Sequence, residues 1–582
     1  MSLRYEVFHA KPHLYLWAAS VLSSAFASTT IPSFLLLAVH LSILCVYGPI
    51  LLDRRGQKSA KIARLWVGIS ISRSISWFAP SIHALDTPAV SVLVLLGQAM
   101  ATSAITLTVV LLYTHLRTRV PMPAGTQYTL FPALWAGIWC AMAYCSPVGY
   151  LTSWTPVVGT ESYDWLVPLL GPAVKNWLVA AWAVVGSQAL EHWMMEWESP
   201  EEAPLIPAHD MGSSGLSKKD THNHYRGSNA FIFILVALAA PPFFLGGDLP
   251  LPVISPYTTP LSVGCVLPSY RRYKHTNLNL DDYIEETKKL ASQADILLWP
   301  EGAVSFQGED ERDAAFDKIR SKVPGAHVGV SFEETYPDPH NPTGKSGLKR
   351  NGMAIISKAD SKPHLIYYKR HLVPIAESYS MRAGEEDPSI YNLELHAPKD
   401  MNKTDWSKEP PHIRHIPLTA SICLDFAMPS PFSALESRPA LILAPGRTWE
   451  TTVGRVMWEQ AKQRAYELGS TVLWCDGGDG GTSGVAGEGV SESIQVGKGS
   501  WVRQIGIQYE FDEGRTLYGR AGNWLIWGLI GLPLVLGPFE AVIGLLPNSG
   551  LLPGFGNMRR QFIAWKDRRR IEDNAEHEDL MS

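Results

Sequence analysis

The chain has little net charge of either sign. Its 50 Lys and Arg stand against 55 Asp and Glu, leaving -5 over 582 residues. That balance excludes a nucleic-acid binder and a receptor for strongly acidic ligands. Cysteine is also scarce. There are six, with no Cys-x-x-Cys pair, so neither a disulfide framework nor a thiolate metal site is expected to organise the fold. Three of them, Cys45, Cys140 and Cys145, lie in apolar segments. The N-terminus lacks the compact basic region, short apolar core and small-residue cleavage site of a secretory signal, so its apolar runs read as retained spans. Internal repeats are missing, and residues 196–228 form a single polar stretch that reads as a disordered cytosolic loop.

What is present is long apolar sequence. A mean hydropathy of +0.01 averages two unlike parts. Residues 1–257 read as a membrane bundle of about seven spans, since about 20 apolar residues cross a bilayer. The spans run from Leu14 to Ala27, Ile31 to Leu52, Leu65 to Ile82, Pro88 to Tyr113, Phe131 to Leu151, Leu166 to Leu190 and Phe231 to Leu245. Residues 258–515 read as a soluble domain. Residues 516–582 add a last span, from about Asn523 to Leu546, and a basic tail. Basic residues cluster in alternate loops, at Arg54, Arg55, Lys58, Lys61 and Arg64, at Arg117 and Arg119, and from Arg559 to Arg570. The intervening loops carry Asp86, Glu161 and Asp164. Basic loops stay cytosolic, which puts both termini in the cytosol and the soluble domain on the exoplasmic face.

Within 258–515, short β-rich runs alternate with helical spacing, the pattern of an α/β sandwich with a buried sheet. Three strand ends carry unusual residues. ILLWPEGA places Glu301 beside Trp299 and Pro300, just past an apolar strand; burial there disfavours the charged form and suits a base working near neutral pH. LIYYKRHLVPIAE ends a strand at Lys369 and brings Glu377 eight residues later; a Lys there could face a developing oxyanion. PLTASICLDF ends a strand at Cys423, with Asp425 two residues on. Taken singly these read as a surface Glu in a turn, an exposed Lys and an inert core thiol. Taken together they supply the base, the cation and the nucleophile of acyl transfer.

The order Glu, Lys, Cys, each at a strand end, resembles the carbon-nitrogen hydrolase (nitrilase) superfamily, whose domain is an α-β-β-α sandwich. The larger pattern resembles its apolipoprotein N-acyltransferase branch. The form Lys369-Arg-His-Leu-Val-Pro-Ile-Ala-Glu377, PALW at 132–135, ISWF at 75–78 and GRTLYGRAGNW at 514–524 carry that likeness. The resemblance implies a fold of about eight membrane spans plus the sandwich, and a two-step reaction. Cys423, activated by Glu301, would take a fatty acyl group from a membrane phospholipid as a thioester. Lys369 and a backbone N–H would stabilise the oxyanion, and an amine, in the bacterial family a lipid-modified protein N-terminus, would accept the acyl group. Glu377 would hold the Lys and its loop. Tyr379, Met381 and residues 426–432 are candidates for the apolar lining. No metal or organic cofactor is implied.

The sequence departs from the branch near Cys423, where Leu424-Asp425 stands for the usual Tyr-Glu. It also has Ala444-Pro-Gly-Arg-Thr-Trp449 where a polar pair precedes the Trp, and Gly264-Cys265-Val266 in its opening strand. The triad is spared while the substrate-side loops differ, which leaves the acceptor open. A membrane-tethered amidase with water as acceptor and a non-catalytic membrane scaffold are the other readings. Asn402-Lys-Thr404 is an N-glycosylation sequon on the expected exoplasmic side.

Overall fold

The structure is a computed structural model. It describes residues 11–531 except 54–56, 86, 121, 123, 153–154, 196–217, 245–251, 270–277, 324, 337–347, 399–401 and 488–489. Most of the expected last span, the basic tail from Arg559, and Arg54, Arg55 and Asp86 therefore lie outside the described residues.

Seven long helices occupy the first part: α1 (Pro12–Ala27), α2 (Phe34–Leu52), α3 (Lys58–Ile82), α4 (Pro88–Arg119), α5 (Ala124–Cys145), α6 (Ala173–Met195) and α7 (Lys218–Ala239). Three stretches, Phe34–Leu52, Pro88–Arg119 and Gly125–Cys145, are long and apolar enough to cross a membrane. That indicates association with a bilayer. The polar loop expected through residue 228 is shorter than that at its C-terminal end, because α7 begins at Lys218.

The bundle carries apolar side chains on its outside as well as in its core, where Leu41, Trp135 and Val179 are fully buried. Ile75, Leu93 and Phe233 point outward, each about 70% exposed, and small hydroxyl residues bridge some of the helix contacts. Ser42 Oγ donates to Ala183 O across α2 and α6 at 3.0 Å, and Ser72 Oγ to Val21 O across α3 and α1 at 2.8 Å. Without a hydrophobic drive between helices in lipid, close approach and such bonds hold them together. Gly186 shows how close that is, since a Cβ there would meet Ser42 Oγ at 2.5 Å.

The second part is a four-layer sandwich. One sheet has the order β13-β1-β2-β4-β5-β6, with β3 (Val304–Phe306) paired to β4. Its strands are β1 (Thr258–Cys265), β2 (Ile296–Leu298), β4 (His327–Tyr336), β5 (Leu348–Ile356), β6 (Leu365–Tyr368) and β13 (Trp501–Gln508). The other runs β12-β11-β10-β9-β8-β7. It comprises β7 (Tyr391–His396), β8 (Ile413–Ala420), β9 (Leu441–Gly446), β10 (Thr471–Asp476), β11 (Thr482–Gly487) and β12 (Val490–Val496). Leu261, Ile296 and Met353 of the first sheet pack on Ile416, Leu441 and Leu473 of the second. The outer face of the first sheet is covered by α8 (Leu280–Leu290) and α9 (Glu309–Lys322), through Tyr283 and Phe316. That of the second is covered by α10 (Thr451–Leu468), through Met457 and Trp458. Strands with apolar residues on both faces, such as β9 and β10, are what a sheet covered on both sides requires.

Caps fix the helices that frame the strand ends. Asn279 accepts from the Asp281 and Asp282 N–H groups at 3.0 and 3.1 Å, and Asp282 returns a bond to the Asn279 N–H, closing a capping box at α8. Glu450 caps α10, and Gly469, at φ +63°, ends it in the left-handed conformation that glycine adopts without strain.

One expectation fails here. Cys265 and Cys475, on β1 and β10, form a disulfide between the two sheets across 210 residues of chain. Both lie in apolar strands, so nothing local in the sequence marks them as a pair. Only the face-to-face packing of the sheets brings them together. Cross-linking so long a segment restricts the unfolded chain. Cys265→Ala/Cys475→Ala should lower the stability of the sandwich by about 2–5 kcal/mol, read as a fall in its melting midpoint; an unchanged midpoint would mean that the bridge contributes nothing.

Candidate functional site

Glu301, Lys369 and Cys423 meet at one end of the sandwich, each just past a strand: β2, β6 and β8. Glu301 follows a tight Pro300 turn, and the chain leaves it through Gly302 at φ +60°. It is buried rather than set in a surface turn. Its N–H reaches Gly446 O on the other sheet at 3.3 Å, which fixes the two strand ends against each other. Its Oε1 accepts from Lys369 Nζ at 2.8 Å and from Asn351 Nδ2 at 2.7 Å.

Lys369 is 1% exposed, so the reading of it as an ordinary surface Lys does not hold. Besides Glu301, its Nζ donates to both carboxylate oxygens of Glu377, at 2.8 Å each. Glu377 in turn accepts from the Val373 N–H at 2.8 Å and so anchors the loop after β6. Burial alone would strip the Lys of its proton, but the Glu301 carboxylate, with Cys423 and Glu377, outweighs that and holds the ammonium well above its usual range. Glu301 is raised above the ordinary carboxylate range, first by burial and against the pull of Lys369.

Cys423 opens a short 3-10 turn (Cys423–Ala427) with φ +45°. A left-handed conformation is unusual for a residue with a side chain and costs about 1 kcal/mol or more, which the surroundings must offset. Asp425 does this. Fully buried, its carboxylate accepts from Tyr367 OH and His371 Nδ1 at 2.7 Å each, the His371 N–H at 2.9 Å and the Ile422 N–H at 3.3 Å. The thiol faces the Glu301 carboxylate, and the Arg447 N–H lies beside its sulfur. Burial, and then the Glu301 charge, push the thiol well above its ordinary range. It rests as a thiol beside a carboxylate ready to take its proton.

Several residues here carry no sequence signal strong enough to single them out. Asn351 is a lone amide in β5, between the charged pair Lys349-Arg350 and the apolar second half of the strand. Arg447 takes part through its backbone. Asp476 accepts from Thr448 N–H (2.9 Å), Thr448 Oγ1 (2.7 Å) and Gly478 N–H (3.0 Å), pinning the loop that carries Arg447. Trp299 is not brought to the site. It is a core residue, stacked near Tyr283 with its Nε1 on Thr287 Oγ1 at 2.9 Å. Phe426 packs with Phe432 and Trp474 in the core beneath α10; Ser430, Pro431 and Phe432 border a separate cavity of about 290 Å³ beside Tyr144 and Tyr518, whereas Tyr379 is exposed. Trp449 is 44% exposed and donates to Pro80 O at 3.0 Å, linking this end of the sandwich to the last turn of α3.

A cavity of about 920 Å³ opens beside Glu301, walled by Gly302, Phe306, Arg447, Trp449 and Lys498. Cys423 does not line this cavity and is 7% exposed.

No family model matches this chain. Solved structures similar to it include a nitrilase-superfamily amidase from Nesterenkonia AN1, at 18% identity over 42% of this chain and 90% of that one, TM-score 0.29. Others are Saccharomyces cerevisiae Nit3, a member of branch 10 of the nitrilase superfamily (17%, 44% and 93%, 0.31), and the C. elegans NitFhit protein (16%, 43% and 61%, 0.29). Scores at that level carry no weight, and the site stands on its own geometry.

Lys369→Met would leave Glu301 buried and Glu377 half-buried without their cation. A loss of about 3–5 kcal/mol in stability is expected, measured by denaturant unfolding. Adding Glu301→Gln and Glu377→Gln to that variant should restore most of it. If the triple variant is no more stable than Lys369→Met, the charges are not what the ammonium holds.

Proposed function

We propose that this protein is a membrane N-acyltransferase that moves a fatty acyl group from a phospholipid to an amine through a thioester on Cys423. The observation that carries the proposal is the contact of one thiol with both a buried carboxylate and a backbone N–H, with a buried ammonium bridging that carboxylate to a second.

Glu301 takes the thiol proton as Cys423 Sγ attacks the ester carbonyl. The Lys369 ammonium and a backbone N–H of the site, such as that of Arg447, face the negative oxygen that develops. The C–O bond breaks, Glu301 returns the proton to the departing lysophospholipid alkoxide, and the thioester remains. An amine then attacks the thioester, giving its proton to Glu301. The C–S bond breaks, the thiolate is reprotonated, and an amide is released. Each step conserves atoms and charge and uses only groups at the site.

Apolar helices beside the sandwich favour a lipid donor, and Trp449 links the site to the end of α3. An amidase using the same groups is the alternative, with water replacing the amine. The acceptor that best fits a membrane-bound site is itself lipid-anchored, such as a lipid-modified protein N-terminus. The domain is placed on the exoplasmic face. The Cys265–Cys475 bridge supports this, since disulfides persist in oxidising compartments.

After incubation with phospholipid, intact-mass measurement should find an acyl adduct on the protein that is absent in Cys423→Ala. Glu301→Gln should slow its formation by about 10²–10⁴-fold. Faster discharge to an amine than to water selects the transferase; discharge to water alone selects the amidase. No adduct from any phospholipid or amide would overturn both.

The exoplasmic placement has its own check. In a eukaryotic cell Asn402, exposed and with no side-chain cap bond, should carry a glycan removed by glycosidase and lost in Asn402→Gln. A protease-protection assay finding the domain cytosolic would refute the placement.

A further inference from the structure

Arg447 meets the site twice. Its backbone N–H lies beside the Cys423 sulfur. Its guanidinium lines the cavity beside Glu301, with Nη1 3.5 Å from where a Cβ on Gly302 would stand.

The other charges on that cavity are engaged. Glu301 is held by Lys369 and Asn351. Glu311 accepts from the Gln307 N–H at 2.6 Å. Lys318 pairs with Asp281 at 2.8 Å. Lys498 donates to Gly477 O and faces Asp479 and Asp476. The Arg447 side chain has no hydrogen bond or ion pair among the described residues. Lys498 is held below the ordinary ammonium range, first by burial and then, against the pull of Asp479, by the Arg447 charge. The Arg447 guanidinium is exposed to the cavity beside this second cation, with Asp479 on the same wall, and its planar donors match the oxygens of a phosphate.

We propose that Arg447 and Lys498 bind the phosphate of the acyl donor, so that the cavity selects phosphorylated esters over neutral ones. This rests on the acyl-transfer reading above. In a glycerophospholipid the phosphate lies a few bonds from the ester carbonyls. A headgroup held by the Arg447 side chain therefore leaves a carbonyl free to reach the sulfur beside the same residue's N–H. Trp449, on the same cavity and tied to Pro80 O, sets this wall beside the end of α3, on the side from which a lipid would come.

The test uses the full chain in detergent. Adduct formation on Cys423 is timed with a phosphatidyl donor and with diacylglycerol of the same acyl chains. Arg447→Gln should lower the ratio of the two rates about tenfold or more, and Arg447→Lys should lower it less. An unchanged ratio overturns the proposal, whether both rates fall together or neither falls. Separately, glycerol 3-phosphate should raise the melting midpoint of the wild type and not of Arg447→Gln, with glycerol as the control. No such rise in the wild type overturns the phosphate site even if acyl transfer stands. A rise without any acyl adduct supports the phosphate site and sinks the acyl-transfer reading instead. If inorganic phosphate gives the same rise but the donor ratio does not change, the site binds free phosphate and its assignment to the donor is wrong.

Discussion

A buried ammonium between two carboxylates organises this molecule's candidate site. Lys369 lies within 2.8 Å of Glu301 and of both oxygens of Glu377. An isolated charge in such a place would lose its proton or unfold its surroundings. Two neighbouring carboxylates prevent that by supplying opposite charge at hydrogen-bond distance. Their positions in turn dictate where the chain must go. β2 has to end at Pro300, β6 at Lys369, and the loop after β6 must fold back four residues to let Glu377 take the Val373 N–H. The ion cluster is costly to build and costly to break, which is how a few side chains hold several loops in one arrangement.

The turn at Cys423 depends on another buried carboxylate. Asp425 collects four hydrogen bonds, from Tyr367, His371 twice and Ile422, and that offsets the left-handed backbone of Cys423. A third such acid, Asp476, pins the loop that brings the Arg447 N–H to the sulfur. It follows Cys475 directly, so the inter-sheet disulfide is continuous in sequence with one support of the site.

Sandwich and bundle are joined through polar contacts. Trp449 reaches Pro80 O, Gln460 Nε2 reaches Thr155 O at 3.4 Å, and Asn523 Nδ2 reaches Tyr144 OH at 2.8 Å. The bundle is apolar inside and out, with small hydroxyl residues at some helix contacts, an arrangement compatible with a lipid solvent.

The sequence by itself determined a good deal. Alternating apolar strands and capped helices were legible from periodicity, because a strand buried on both faces and an amphipathic helix leave different patterns. β3, β7 and β11 to β13 were not, being short, partly exposed or glycine-broken, with weak alternation. Glu301, Lys369 and Cys423 could be read from their order at three strand ends. Trp299 could not be placed, since a residue next to the site in sequence can point to the opposite face of the sheet. Asn351, Asp476, the Arg447 N–H and the Cys265–Cys475 bridge were decided only by the tertiary structure. Each joins segments far apart in the chain, and such partners are fixed by how the two sheets face one another, which no local pattern encodes.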